Sequence, residues 1–194
     1  MRSFVLGNGQ SRLCVQPQEL KPYGKIYGCN ALYRSFSPDY LIAVDIKMVL
    51  EISKTGYQLT NPVWTNNSAR LKDIEGLNYF KPSLGWSSGP TALQLACTHG
   101  ADEIFILGFD YTGENNMFNN VYADTENYKR SSDHATYYGN WLRQTELVIK
   151  RNPHTKFYRL VLQNYFDPMW RFKNFKHMQY SEFRQLMNSW RQNT

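Results

Sequence analysis

Apolar positions in this chain fall into short runs separated by glycine- and asparagine-rich breaks. The first, Phe4-Val5-Leu6, is entered at Ser3 and stopped by Gly7-Asn8-Gly9, which predicts a strand running into a tight loop. Ser11 is placed to cap a helical turn after that loop. A second strand is predicted through Lys25-Ile26-Tyr27-Gly28 to Cys29-Asn30. The third, Tyr40-Leu41-Ile42-Ala43-Val44, is continuously apolar, the pattern of a parallel strand buried on both faces, and it ends at Asp45. Ile46, Val49, Leu50 and Ser53 then recur at helical spacing.

Residues 54–86 are polar and rich in Asn, Pro and Gly, which predicts one short strand near Val63-Trp64 among long loops. Ser88 and Pro90 fit a helix start and Gly100 fits its stop. Ile104-Phe105-Ile106-Leu107 is the strongest strand pattern and ends at Gly108-Phe109-Asp110. A loop rich in Asn, Gly and Tyr covers 112–130. Tyr138, Trp141, Leu142, Val148 and Ile149 share one face, so a helix is predicted over 134–151 with Ser131-Ser132-Asp133 as its start. Lys156–Val161 predicts the last strand. From Ser181 onward Phe183, Leu186, Met187 and Trp190 form the apolar stripe of a terminal helix.

Strands alternating with helices imply an α/β fold: a Rossmann-like parallel sheet with helices on both faces. The division expected is a nucleotide-binding domain over 1–167 and a C-terminal helical appendage over 168–194. Such a fold gives the motifs one address. Gly7-Asn8-Gly9, Asn30, Asp45 and Gly108-Phe109-Asp110 all fall at carboxyl ends of predicted strands, the edge where open α/β sheets bind ligands.

Composition narrows the classes. With 42% hydrophobic and 20% charged residues, the 194-residue chain is neither disordered nor membrane-spanning, and it can bury a core without staples. No apolar run nears the ~20 residues of a transmembrane helix, and the first is too short for a leader core, so a cytoplasmic protein is expected. Three cysteines, odd in number and without CxxC spacing, argue against a disulfide scaffold and a zinc site. The net charge of +6 is uneven: residues 168–194 hold Arg171, Lys173, Lys176, Arg184 and Arg191 against Glu182 alone. Interleaved with aromatics, these cations can bind nucleic acid. They are equally the solvated face of an amphipathic helix that packs on the domain or on a second subunit of a homo-oligomer.

Gly7-Asn8-Gly9-Gln10-Ser11-Arg12 starts like a dinucleotide fingerprint, but Arg12 stands where the third glycine belongs. Nor does an acidic residue stand at the usual distance after the second strand, which ends at Cys29-Asn30. A dinucleotide oxidoreductase is disfavoured; a mononucleotide phosphate site and a ligand-free turn both stay open. The chain has no P-loop, no G-x-S-x-G elbow and no H-E-x-x-H, and no D-x-D stands where a metal-dependent sugar transferase would hold a diphosphate.

Gly7-Asn8-Gly9-x-Ser11, Cys29-Asn30-Ala31-Leu32-Tyr33, Ser87-Ser88-Gly89 and Leu107-Gly108-Phe109-Asp110-Tyr111, in that order, resemble the motif series of bacterial CMP-sialic-acid transferases with a Rossmann-like single domain. The resemblance implies metal-independent transfer of a glycosyl group from a nucleotide-activated donor. It implies that Asn8 and Asn30 hold nucleotide phosphate and ribose or base, with Gly7 and Gly9 in the same loop. It places Ser87, Ser88 and Gly89 on donor phosphate and sugar, and Gly108 and Asp110 on base and ribose. Tyr111 and Tyr122 would donate to the leaving phosphate, and His134 would deprotonate the acceptor. In that family the tyrosine stands two residues after the aspartate; here Thr112 does. Pro38-Asp39-Tyr40 to Asp45 and Gly100-Ala101-Asp102 to Asp110 also resemble the 6-hydroxymethylpterin diphosphokinase-like group, which implies ATP, with Mg²⁺ at Asp45. The pattern also resembles that of small uncharacterised phage proteins, which would leave the function open. Asp45 itself fits a ribose or Mg²⁺ ligand or a helix cap, and His134 fits a base or a surface residue. A nucleotide-binding or nucleotide-sequestering protein without catalysis is the third reading.

Overall fold

The computed structural model describes residues 1–113 and 115–192. In chain order they form β1 (Arg2–Leu6), α1 (Pro17–Leu20), β2 (Lys25–Cys29), β3 (Tyr40–Ile42), α2 (Ile46–Lys54), β4 (Val63–Thr65), β5 (Leu77–Tyr79), α3 (Ser88–Thr98), β6 (Glu103–Leu107), α4 (Gly139–Arg151), β7 (Lys156–Val161), β8 (Phe175–Gln179) and α5 (Tyr180–Gln192). Short 3₁₀ turns at Gln10–Cys14 and Asn30–Arg34 come after β1 and β2. The strands make one sheet in the order β5-β4-β3-β2-β1-β6-β7-β8, and every pairing is parallel. The chain therefore winds outward in both directions from the β1/β6 pair, which is the topological switch point.

Period-two alternation sorts the strands' side chains between two cores. Phe4 and Leu6 of β1, Ile26 of β2, and Phe105 and Leu107 of β6 face one side, under Leu20 of α1, Met48, Val49 and Ile52 of α2, and Phe183 and Met187 of α5. Val5, Tyr27, Cys29, Ile104 and Ile106 face the other, under Ala92, Leu93, Leu95 and Ala96 of α3 and Val148 and Ile149 of α4. Helices thus cover both faces. Among the described residues no helix is long and apolar enough to cross a membrane.

Three expectations need correction. β5, a half-buried edge strand, is too short and mixed to show a period. Residues 131–138 are not helical: the Arg130 amide donates to Asp133 Oδ2 at 2.8 Å, and His134 pairs with Met117 in an isolated antiparallel bridge. Asp133 therefore closes a turn, and α4 starts only at Gly139. β8 has no counterpart among the predicted strands, and it puts the segment 168–194 inside the main sheet: the boundary expected at 167 falls between β7 and β8. α5 is tied to the front of the chain, with Arg184 donating to Cys14 O and Arg191 3.7 Å from Glu19. Arg171 lies 3.6 Å from Asp167. Much of the basic tail is engaged with the protein itself.

Candidate active site

A cleft of about 360 Å³ opens at the carboxyl edge of the sheet, over the switch point. The loops after β1, β2, β3 and β6, the amino end of α3 and Trp141 of α4 line it. Of the residues singled out in the sequence, Gly7, Asn8, Gly9, Asn30, Asp45, Ser87, Ser88, Gly89, Gly108, Asp110 and Tyr111 all stand on its walls. Tyr122 and His134 do not.

The glycine loop has a different job from holding a phosphate. The Gly7 amide donates to Leu107 O at 2.8 Å and the Gly9 amide to Gly108 O at 3.0 Å, so the β1/β6 pairing continues past the strands. A Cβ on Gly7 would lie 2.6 Å from Gly108 O, and one on Gly9 would run into the Asp110 carboxylate. The glycines are required by this loop-to-loop contact, and their amides are spent on it. Asp110 is likewise committed. It accepts from the Ser11 amide (3.1 Å), from the Ser11 hydroxyl and from Asn119 Nδ2 (3.1 Å). Ser11, expected to cap a helical turn, is a strut to Asp110 instead. Asn8 Nδ2 donates to Cys29 O at 3.2 Å and to the Tyr128 hydroxyl at 3.4 Å.

Asn8 Oδ1 is buried without a partner among the described residues, and the free donors lie on the opposite wall. Asn30 sits at φ 52°, a left-handed conformation that asparagine tolerates better than most residues. The Val44 amide donates to Ser88 Oγ at 3.1 Å, and Ser88 Oγ donates to Asn30 Oδ1 at 2.8 Å. This relay fixes the Asn30 carboxamide and leaves Nδ2 without a protein partner among the described residues. In α3 the Thr91 amide bonds Ser87 O and Pro90 has no N–H. The amides of Ser88 and Gly89 therefore open onto the cleft with the positive end of the helix dipole behind them. The Ser87 amide is bonded to Gln144 Oε1 at 3.0 Å, which fixes the cap residue. Asp45 occupies the cap position of α2 but makes no side-chain cap bond, so its exposed carboxylate is free at the cleft rim.

The tyrosines are differently placed from what the resemblance implied. Tyr111 lies at φ 64° and is buried, and its hydroxyl donates to Thr145 Oγ1 at 2.9 Å, within the core. Burial pushes its phenol up to about 12, against the pull of Arg159. Its ring, not its hydroxyl, walls the cleft. Tyr122 is buried among the core residues, with its hydroxyl 3.4 Å from both Arg12 and Ser35. His134 is exposed and immediately precedes the wall residues Ala135 and Thr136.

Several site residues carried no readable signature in the sequence. Asn119 joins the strap 115–138 to Gln10, Asp110 and Thr112, and it stands among other asparagines. Tyr128 reaches back to Asn8 and to the Ala31 amide. Its segment is held by Glu51, which accepts from Asn127, Tyr33 and Arg34 at 2.6–2.8 Å. Burial alone would raise the Glu51 carboxyl, but those hydrogen bonds outweigh it and hold it below its ordinary range. Arg159 is a charge inside an apolar strand, an anomaly visible in the sequence once β7 is recognised. Among the described residues no group of three His, Cys, Asp or Glu is placed to hold a metal ion.

No protein-family model and no curated protein matches the chain by sequence. Solved structures do match its fold. The sialyltransferase CstII from Campylobacter jejuni, in complex with the substrate analogue cytidine-5'-monophosphate, superposes with a TM-score of 0.56 at 14% identity, over 85% of this chain and 81% of that one. A point variant of the sialyltransferase with CMP gives 0.59 at 13% identity, over 86% and 83%. The complex with CMP and a trisaccharide acceptor gives 0.53 at 13%, over 82% and 80%. The chain has the Rossmann-like fold of these bacterial sialyltransferases.

Proposed function

We propose that the protein is a glycosyltransferase-like enzyme that takes a CMP-type nucleotide sugar as donor. The observation that carries this reading is the cleft itself. It sits at the switch point of a sialyltransferase-like fold, and its unspent donors, Asn30 Nδ2 and the Ser88 and Gly89 amides, converge from strand end and helix start. That donor set suits a phosphate, whose charge the helix terminus favours. Asp45, an acceptor on the same wall, suits ribose hydroxyls.

Transfer needs a stabilised leaving group and a base. As the glycosyl bond to phosphate breaks, negative charge grows on the phosphate, and fixed amides plus the helix dipole stabilise it. The acceptor hydroxyl needs a base that titrates near neutrality, which histidine provides. His134 is the histidine beside the cleft wall; His99, at the carboxyl end of α3, is hydrogen-bonded to the Tyr27 hydroxyl and His177 lies on β8 against Asp167. In this reading the acceptor enters along the strap at Ala135-Thr136, and no step calls for a metal ion.

Calorimetric titration with CMP and a hydrolysis assay on CMP-sialic acid, with and without EDTA, test it. CMP binding and EDTA-resistant release of CMP are expected. Binding without turnover returns the chain to the nucleotide-sequestering class, and absence of binding to any nucleoside monophosphate rejects the reading.

A further inference from the structure

Arg159 lies in the middle of β7, 2% exposed, and no carboxylate among the described residues comes within ion-pair distance of it. Its guanidinium is spent on carbonyls instead. Nε donates to Phe109 O at 2.8 Å, Nη1 to Phe166 O at 2.8 Å and Nη2 to Asp110 O at 3.3 Å. Its Cζ stands 4.8 Å from the centre of the Tyr111 ring. Phe109, Asp110 and Tyr111 are consecutive wall residues of the cleft, at the point where the chain leaves β6 and turns through positive φ.

Asp110 and Asp167 act on it only from beyond ion-pair distance, and burying a cation with no carboxylate in contact costs more than filling the same strand position with an apolar side chain. The cleft gives the charge a use. No lysine or arginine is among the described residues lining it, whereas two carboxylates, Asp45 and Asp110, are. An anion entering it would meet like charge unless a cation stood behind the wall. Arg159 is that cation, one aromatic ring away, in surroundings that screen it little. Its field reaches beyond its own contacts: His177, opposite it on β8, is held below the usual histidine range by burial and then by the Arg159 charge. Arg12, buried behind the β1 loop with its guanidinium bonded, among the described residues, only to the Tyr122 hydroxyl at 3.4 Å, adds positive charge on the other side of the switch point.

We infer that Arg159 is a positioning residue for the anionic part of the ligand, setting the Phe109–Tyr111 wall and supplying the buried positive charge behind it. This rests on the nucleotide reading above. The test compares CMP with uncharged cytidine by calorimetry on the wild type, Arg159→Met and Arg159→Lys, with circular dichroism as the fold check. The readout is the preference for CMP over cytidine. It should fall by roughly 10–100-fold in Arg159→Met, since the lost charge acts in a poorly screened site, and stay within about threefold in Arg159→Lys. A merely structural role would weaken both ligands together and leave the preference unchanged, which overturns the inference. Should the Met variant fail to fold, the wild type alone decides: a buried cation predicts that CMP affinity drops by less than about threefold between ~0.05 and ~0.5 M salt, and a steep drop assigns the attraction to surface charges. If the wild type binds neither CMP nor cytidine, the nucleotide reading fails separately, and binding of inorganic pyrophosphate by the same proteins then decides the Arg159 role.

Discussion

The two edges of this sheet are made by the same strands and treat their polar groups in opposite ways. At the amino edge several polar side chains are committed inside the protein, although Ser3 Oγ and Arg2 Nε of β1 are buried without a hydrogen-bond partner among the described residues. The Tyr27 hydroxyl meets His99 Nδ1 at 2.9 Å, with the rings of Tyr40 and Trp64 around the imidazole. Thr155 Oγ1 donates to Ala101 O, and Asn174 Nδ2 reaches the carbonyls of Ile149, Asn152 and Thr155 at 3.0–3.2 Å, closing the end of α4. At the carboxyl edge Asn30, Gly108 and Tyr111 are held at positive φ, and donors at Asn30, Ser88 and Gly89 are left open. Strained backbone and unspent donors coincide there, which is how folds commonly mark a working site. The two glycines of the first loop do not mark it, because their amides are bonded to Leu107 O and Gly108 O.

The sharpest way to break this contrast is at His134. If the carboxyl edge performs transfer, His134→Ala should lower the transfer rate by roughly 10²–10⁴-fold while CMP affinity stays within about twofold, because a base touches the acceptor and not the nucleotide. Steady-state rates across pH, paired with calorimetry, check it. Wild-type turnover in the variant would leave the strap without a catalytic role.

Asn30 tests the binding half of the same edge. Asn30→Gly keeps the left-handed backbone and deletes the carboxamide. One hydrogen bond to a charged phosphate is worth about 1.5–3 kcal/mol, so CMP affinity should fall by roughly 10–150-fold. The urea midpoint should move little. Loss of stability with unchanged affinity would make Asn30 a structural residue.

Asn174 is the counterpart at the amino edge. Asn174→Ala strands carbonyls at the end of α4 and should cost about 1–2 kcal/mol of folding stability, read from urea unfolding, with CMP affinity unchanged. An affinity loss there would mean that the two edges are coupled.

The sequence carried this contrast unevenly. Parallel strands buried on both faces announce themselves as continuous apolar runs, so β1, β3 and β6 were legible, and with them the address of the cleft. β5 and β8 were not: Leu77-Asn78-Tyr79 is half-buried along its length, and β8 mixes Lys176 and His177 with Phe175 because it is an edge strand. Side-chain commitments were also out of reach. Nothing local says that Asp110 is spent on Ser11 and Asn119, contacts 99 and 9 residues apart in sequence, or that the Tyr111 hydroxyl turns inward to Thr145. Motif order located the site; which motif atoms remained free depended on long-range pairing. Arg159 was missed as well: its charge is out of keeping with its strand, but only the fold shows the three carbonyls it holds.

The smallest expected effect is a pH dependence of the amino edge. Burial lowers the His99 pKa from its ordinary value near 6.5, so the unfolded chain takes up a proton at a higher pH than the folded one. Between the two pKa values the unfolded state binds more protons, so stability is full above the unfolded value and declines as pH falls through the folded one. His177 is shifted the same way and adds to the decline, while Asp167 and Glu51, lowered carboxyls, act only at more acidic pH. Urea midpoints should therefore be level between about pH 7 and 8 and fall from about pH 6.5 downward. His99→Gln keeps a polar group facing Tyr27 and has no proton to take up, so its decline should be shallower than the wild type's by the His99 share alone. A variant profile parallel to the wild type's would mean that the imidazole titrates as freely in the fold as outside it, and that the ring stack at the amino edge does not exclude the charged form.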